Sequence, residues 1–219
     1  MHCMHDCPDS GLRERKKAAT RLAIERAAVE IASEQGYEAA TAEAIAARAG
    51  VSLRTFFNYF PNKDIAIVGR GMAAIEQDRA YRILEDSGAD LLKGVARVSE
   101  ACAAEADHTS EYMSRRRRLI HENPPLFHPH MTADAEFDNW LAKVVADHLR
   151  RHPSRRRLSR EATVEEEARL AVAVVSSAVH YEVRRAIENS LDVPLSGKDI
   201  EHTIDMMAEI QRKASWPGP

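Results

Sequence analysis

Between Thr41 and Pro61 the chain has room for two short helices, one sharp turn and little else. Thr41 is a residue type that caps a helix start, because its side-chain oxygen can accept from the first unpaired backbone N–H groups. Ala42, Ile45, Ala46 and Ala49 then recur at helical spacing, and the run stops at Gly50, which can adopt backbone angles closed to other residues. Ser52 caps the next helix and Pro61 ends it. Phe56 and Phe60 stand four apart on its inward face, which leaves Leu53, Arg54, Thr55 and Asn58 pointing outward.

The flanks complete a small packed unit. A helix is expected from about Arg13 to Gln35, with Ile24, Ala28, Ile31 and Ala32 as its buried stripe and Gly36 as its stop. Its leading Arg13, Arg15, Lys16 and Lys17 are left for solvent or phosphate. Asn62 caps a fourth helix that carries Lys63 and Asp64. Two short helices around a glycine turn, the second apolar inside and polar outside, make a helix-turn-helix. Only the outward side chains of a helix lying in the B-DNA major groove reach base edges, so the other helices must brace it.

Thr41, Ile45, Ala46, the run Ala49-Gly50-Val51-Ser52, the run Thr55-Phe56-Phe57-Asn58-Tyr59-Phe60 and Lys63 resemble the tetracycline-repressor (TetR) family. The resemblance covers residues 13 to 70. It implies a homodimeric, DNA-binding transcriptional regulator that is released from a palindromic operator by a small-molecule effector. It also implies that Thr41 and Lys63 contact phosphates at helix N-termini, and that Ser52, Leu53, Arg54, Thr55, Asn58 and Tyr59 face the groove. Of these, Arg54 could pair bidentately with guanine and Asn58 with adenine. Phe57 departs from the family, which often places a phosphate-bonding tyrosine there; a phenyl ring donates no such bond.

Beyond Ile75 the apolar spacing is helical throughout, with segments expected near 88–107, 109–122, 133–152, 162–190 and 196–214. Pro124, Pro125 and Pro129 mark one loop, Pro153 and Ser154 a second, and Pro194 to Gly197 a third. Hydrophobic residues make up 44% of the 219 and aromatics only 5%, which suits helices packed through small side chains. The expected fold is therefore all-α, of about nine helices: a flexible tail at 1–12, a DNA-binding domain at 13–60, a connecting helix at 61–75 and a ligand-binding and dimerisation domain at 76–219. From Leu12 to Gly71 there are ten Lys/Arg against seven Asp/Glu in a chain of net charge -3, so a mildly basic module precedes an acidic body.

The three cysteines, Cys3, Cys7 and Cys102, do not make a disulfide framework, and no apolar run approaches the roughly 18 residues that span a bilayer. A cytoplasmic location without membrane contact is expected, as is the absence of any cofactor. His2, Cys3, His5 and Cys7 include soft metal ligands, but they stand on an unanchored tail and no metal site is assigned to them.

Within the body, Ala168 to Val183 is apolar on nearly every face and should be buried on two sides. By the resemblance, this helix and the last one, with Ile200, Ile204, Met207 and Ile210, form the dimer interface. Candidates for a ligand pocket are Tyr112, Met113, Arg117, Trp140, Val144, Val175, His180 and Tyr181. Four consecutive arginines, Arg115 to Arg118, sweep most of a helix circumference; one would face inward, toward a carboxylate such as Asp138, unless the run is solvated. Arg155 to Arg157 read as a solvated loop.

An enzyme built on His121, His128 and His130 is the alternative from another class, yet no phosphate loop, nucleophile elbow or helical metal-ligand pair accompanies them. An activator or a ligand-independent regulator with the same module is the second alternative.

Overall fold

The computed structural model describes residues 8–69, 72, 74–105, 110–158, 161–189 and 196–213. Among them are ten α-helices and three short 3₁₀ turns, with no strand. The helices are α1 (Pro8–Gln35), α2 (Ala42–Arg48), α3 (Leu53–Tyr59), α4 (Lys63–Val68), α5 (Gln77–Asp86), α6 (Leu91–Glu105), α7 (Ser110–Glu122), α8 (Phe127–Arg151), α9 (Val164–Glu188) and α10 (Gly197–Lys213). The all-α expectation holds. No described helix is long and apolar enough to cross a membrane.

The chain forms two compact units. The first comprises Met1–Gly69 and Arg115–Pro129; the second comprises Arg70–Ser114 and His130–Pro219. In the first unit α1 packs against α2 and α4, and α2 against α3. The stripe of Ile24, Ala28, Ile31 and Ala32 is buried as its spacing dictates, together with Ile45, Ala46, Phe56, Phe60 and Ile67. The turn Pro124–Leu126 packs on α4 and buries Leu126, so a segment placed by sequence in the C-terminal body completes the first unit's core.

Three expected boundaries move. Helix α1 begins at Pro8 rather than near Arg13. The connecting helix expected to reach residue 75 ends at Val68, because Gly69 takes φ 69° and ψ -159°, a conformation open to little but glycine. Pro129, expected in a loop, lies in the first turn of α8, where a missing N–H removes no helical hydrogen bond.

The second unit packs α5 on α6, and α9 on both α6 and α10. Its core draws Leu84 from α5, Val95 and Val98 from α6, Leu141, Val145 and Leu149 from α8, Val172 and Val175 from α9, and Ile200 and Ile204 from α10. One face of α9 is thus buried. The other, with Leu170 at 56% exposure, Ala173, Ser177 and Tyr181, is left open, so the expected burial on two sides is not met within one chain.

The arginines of 155 to 157 are not a solvated loop. Arg155 donates to the carbonyls of Leu84 and Glu85 and meets His148, whose ring is 2% exposed, at 3.0 Å. Arg156 Nε donates to buried Glu167 at 2.9 Å, and its Nη2 to the Ala162 carbonyl. Arg157 Nη2 donates to the Ala89 carbonyl at 2.7 Å. The physical reason is that carbonyls in the last turn of α5 and in the segments before α6 and α9 keep acceptor capacity outside helical bonding, and a guanidinium with five fixed donors can serve several at once.

Candidate nucleic-acid interface

Thr41, Ser52 and Asn62 each accept a hydrogen bond from the backbone three residues ahead, at Ala44, Thr55 and Ile65, with distances of 3.2, 3.0 and 2.9 Å. These caps fix where α2, α3 and α4 begin. Gly50, at φ 68°, supplies the turn between α2 and α3. Phe56 and Phe60 are fully buried with ring centroids 6.1 Å apart, and Arg21 lies over the Phe60 ring at 4.7 Å while donating to the Tyr59 carbonyl. The inner face of α3 is thereby fixed against α1.

The outer face is open. Ser52, Leu53, Arg54 and Asn58 are exposed, and Thr55 and Tyr59 are half-buried. Thr55 Oγ1 lies 2.8 Å from Ser52 Oγ, so both hydroxyls serve the cap as well as the surface. Phe57 is 52% exposed, a bare ring on that same short helix.

Lys63 is already committed. Its Nζ donates to the Tyr37 carbonyl at 3.1 Å and to Glu38 at 3.2 Å, and it sits 3.8 Å from the Tyr37 ring centroid. The Tyr37 hydroxyl in turn donates to Asp64 at 2.6 Å. Burial, and then that bond to a carboxylate, hold the phenol well above its ordinary pKa. Lys63 must exchange its Glu38 partner to reach a phosphate. Arg48 is likewise held on the α1 side by Glu30 and Glu34.

The pocket candidates are dispersed. Arg117 belongs to the first unit and the other seven to the second. Val144 and Val175 are core, Trp140 packs at its edge 5.7 Å from Phe137, Tyr112 is buried, Met113 is half-buried, and Tyr181 is exposed. His180 bonds Asp134 rather than facing the core.

Of the four arginines, the one turned inward is Arg116, 7% exposed. A Cβ built on Gly69 would stand 2.9 Å from its Nη1 and 3.3 Å from Glu25 Oε2, so both side chains border that glycine. The buried carboxylate is Glu25, not Asp138, which accepts from Ser176 Oγ at 2.7 Å. Neighbouring Arg117 has its pKa lowered by burial and by Arg116.

The tail residues His2, Cys3, His5 and Cys7 lie outside the described residues. A different cluster escaped the sequence: His130 and Asp134 on α8 meet His180 on α9. Its signal was the i, i+4 pair His130 and Asp134, hidden by the assignment of Pro129 to a loop.

Residues 18–65 match the family model for bacterial regulatory proteins of the tetR family. That match places a tetR-type DNA-binding region over α2, α3 and the start of α4. The HTH-type transcriptional regulator TcmR of Streptomyces glaucescens is 29% identical over 143 residues, covering 62% of this chain and 63% of that protein. YvkB of Bacillus subtilis, an uncharacterized HTH-type transcriptional regulator, is 26% identical over 133 residues, with 60% and 66% covered. The alignments thus span a little under two thirds of either relative. FadR of Thermus thermophilus, a TetR-family repressor solved with lauroyl-CoA, superposes with a TM-score of 0.52 at 22% identity, over 91% of this chain and 100% of that one. NalD, the secondary repressor of the MexAB-OprM multidrug efflux pump in Pseudomonas aeruginosa, gives 0.55 at 19% identity over 89% and 96%. At such identities the likeness is one of fold.

Proposed function

We propose that this chain is a TetR-family transcriptional regulator, a cytoplasmic homodimeric repressor that leaves a palindromic operator when a hydrophobic or amphipathic effector binds its second unit. The observation that carries the reading is the split character of α3: an inner face sealed by Phe56 and Phe60, and an outer face presenting Ser52, Leu53, Arg54 and Asn58. Arg54 and Asn58 read bases, Ser52, Leu53, Thr55 and Tyr59 line the groove, and Thr41 and Lys63 touch phosphate.

The open face of α9 supports the dimer. Leu170, Ala173, Ser177 and Tyr181 recur at helical spacing on an exposed face of α9, and Ile210 of α10 is 70% exposed. A second copy covering that stripe supplies the second α3 that a palindromic operator needs, since successive major grooves lie about 34–36 Å apart. Effector release follows if the ligand binds better when that spacing is wrong. Buried Tyr112 and half-buried Met113 and Trp140 are candidates for its lining. The lauroyl-CoA held by the FadR relative is an amphipathic ligand of the proposed kind.

Sedimentation equilibrium and gel shifts on the chain's own upstream DNA test this together. Wild type should be a dimer that needs both half-sites. Leu170→Glu with Ile210→Glu should yield folded monomers that lose the cooperative shift. A wild-type monomer that binds a single half-site equally well overturns the reading.

A further inference from the structure

His130 and Asp134 stand one turn apart on α8, which puts both on one face, and His180 of α9 reaches the same point. The two histidines aim their Nε2 atoms at a single carboxylate oxygen, Asp134 Oδ2, from 2.9 Å for His180 and 3.5 Å for His130. All three donor atoms lie within 4.8 Å of one another. Two donors bound to one metal at about 2.0–2.1 Å stand roughly 3–4 Å apart, so the cluster needs only small side-chain rotations to close on an ion. The rings meet edge to face, with centroids 6.5 Å apart, so neither blocks the other.

We propose that His130, Asp134 and His180 bind a first-row transition-metal dication, with zinc(II) as the reference ion. Two imidazoles and one carboxylate select a borderline ion over magnesium or calcium, which favour all-oxygen sets. Three protein donors leave at least one position for water or for a chelating small molecule. Asp138, one turn beyond Asp134 and held by Ser176, adds a second carboxylate whose field favours a cation, while Arg184 on α9 opposes it. The side chains are between 23% and 50% exposed, so an ion has access from solvent. Bound metal ties the start of α8 to the distal half of α9, within the second unit and independently of the DNA-binding reading.

Titration of the full-length, metal-stripped protein with zinc(II) and cobalt(II) tests the site. A variant carrying His2→Ala, Cys3→Ser, His5→Ala and Cys7→Ser removes the competing tail donors. One ion should bind per chain, equally in wild type and the tail variant, with a cobalt spectrum that lacks a thiolate charge-transfer band. His180→Ala and the near-isosteric Asp134→Asn should each weaken binding on the order of 100-fold, and Asp138→Asn about 10-fold. The metal-free melting temperature should fall by only a few degrees through the lost hydrogen bonds, while the metal-induced rise in melting temperature is lost in the two triad variants and reduced in Asp138→Asn. Binding that survives both triad substitutions, that vanishes with the tail donors, or that fails to occur in wild type overturns the proposal.

Discussion

The two units of this chain hold their shapes by different means. In the first, position is set locally: each of α2, α3 and α4 starts at a side chain that bonds the backbone three residues on, and glycines at 50 and 69 place turns. In the second, long helices are tied by polar side chains that reach far along the sequence. Arg155 reaches Leu84, Arg157 reaches Ala89, and buried Glu182 takes the Thr203 hydroxyl. The lesson is that the short helices around the proposed DNA-reading face are placed mainly by local caps and turns, whereas the long helices of the second unit depend on polar pairs between distant residues.

The largest expected effect breaks the frame. Phe60→Ala, at a fully buried ring, should cost about 4 kcal/mol in urea unfolding, whereas Phe57→Ala, on the open side of the same helix, should stay within about 0.5 kcal/mol. Equal costs would mean that α3 has no inner and outer face.

Next, Arg156→Ala strips buried Glu167 of its charged partner and leaves it only the N–H groups of Arg157 and Leu158. A loss of about 3 kcal/mol is expected, with rescue when Glu167 is also replaced by an apolar residue. Full stability in Arg156→Ala would return the arginines to the status of a solvated loop.

His148 sharpens the contrast through pH. Burial, and then Arg155 beside it, lower its pKa to about 4. The folded ring stays neutral where the unfolded one takes up a proton, so stability is full above about pH 6.5 and falls as pH drops from there to about 4. The loss should approach roughly 3 kcal/mol and should be absent in His148→Gln, as urea midpoints across that range would record.

Two smaller changes probe the local frame again. Gly69→Ala places a methyl group at φ 69° and 2.9 Å from Arg116, and should cost about 2 kcal/mol. Ser52→Ala removes one cap and should cost about 1 kcal/mol. Differential scanning calorimetry on the two variants ranks them, and a larger cost for the cap than for the glycine would contradict the strain assigned to the end of α4.

This division explains what could be read from the residues. Thr41, Gly50, Ser52, Phe56, Phe60 and Asn62 act over four residues or fewer, so their spacing carried the caps, the turn and the buried face. The exposed positions of Leu53, Arg54 and Asn58 followed from the same period. Lys63 shows the limit: its bonds to Tyr37 and Glu38 cross some 25 residues and leave no periodic trace. Arg116 was half legible, since four consecutive arginines force one inward, but its neighbour Glu25 lies on a helix ninety residues earlier. The cluster of His130, Asp134 and His180 needed two helices and a correctly placed proline before it could be seen.

The central claim is that the outer face of α3 reads operator DNA. The direct test is binding of the purified protein to its own upstream intergenic DNA at low and high salt, comparing wild type with Arg54→Ala and Asn58→Ala. The account predicts tight, salt-sensitive, sequence-dependent binding by wild type, with each substitution relaxing discrimination by about 1–3 kcal/mol while the fold stays intact. Sequence-specific binding indifferent to both substitutions would contradict it.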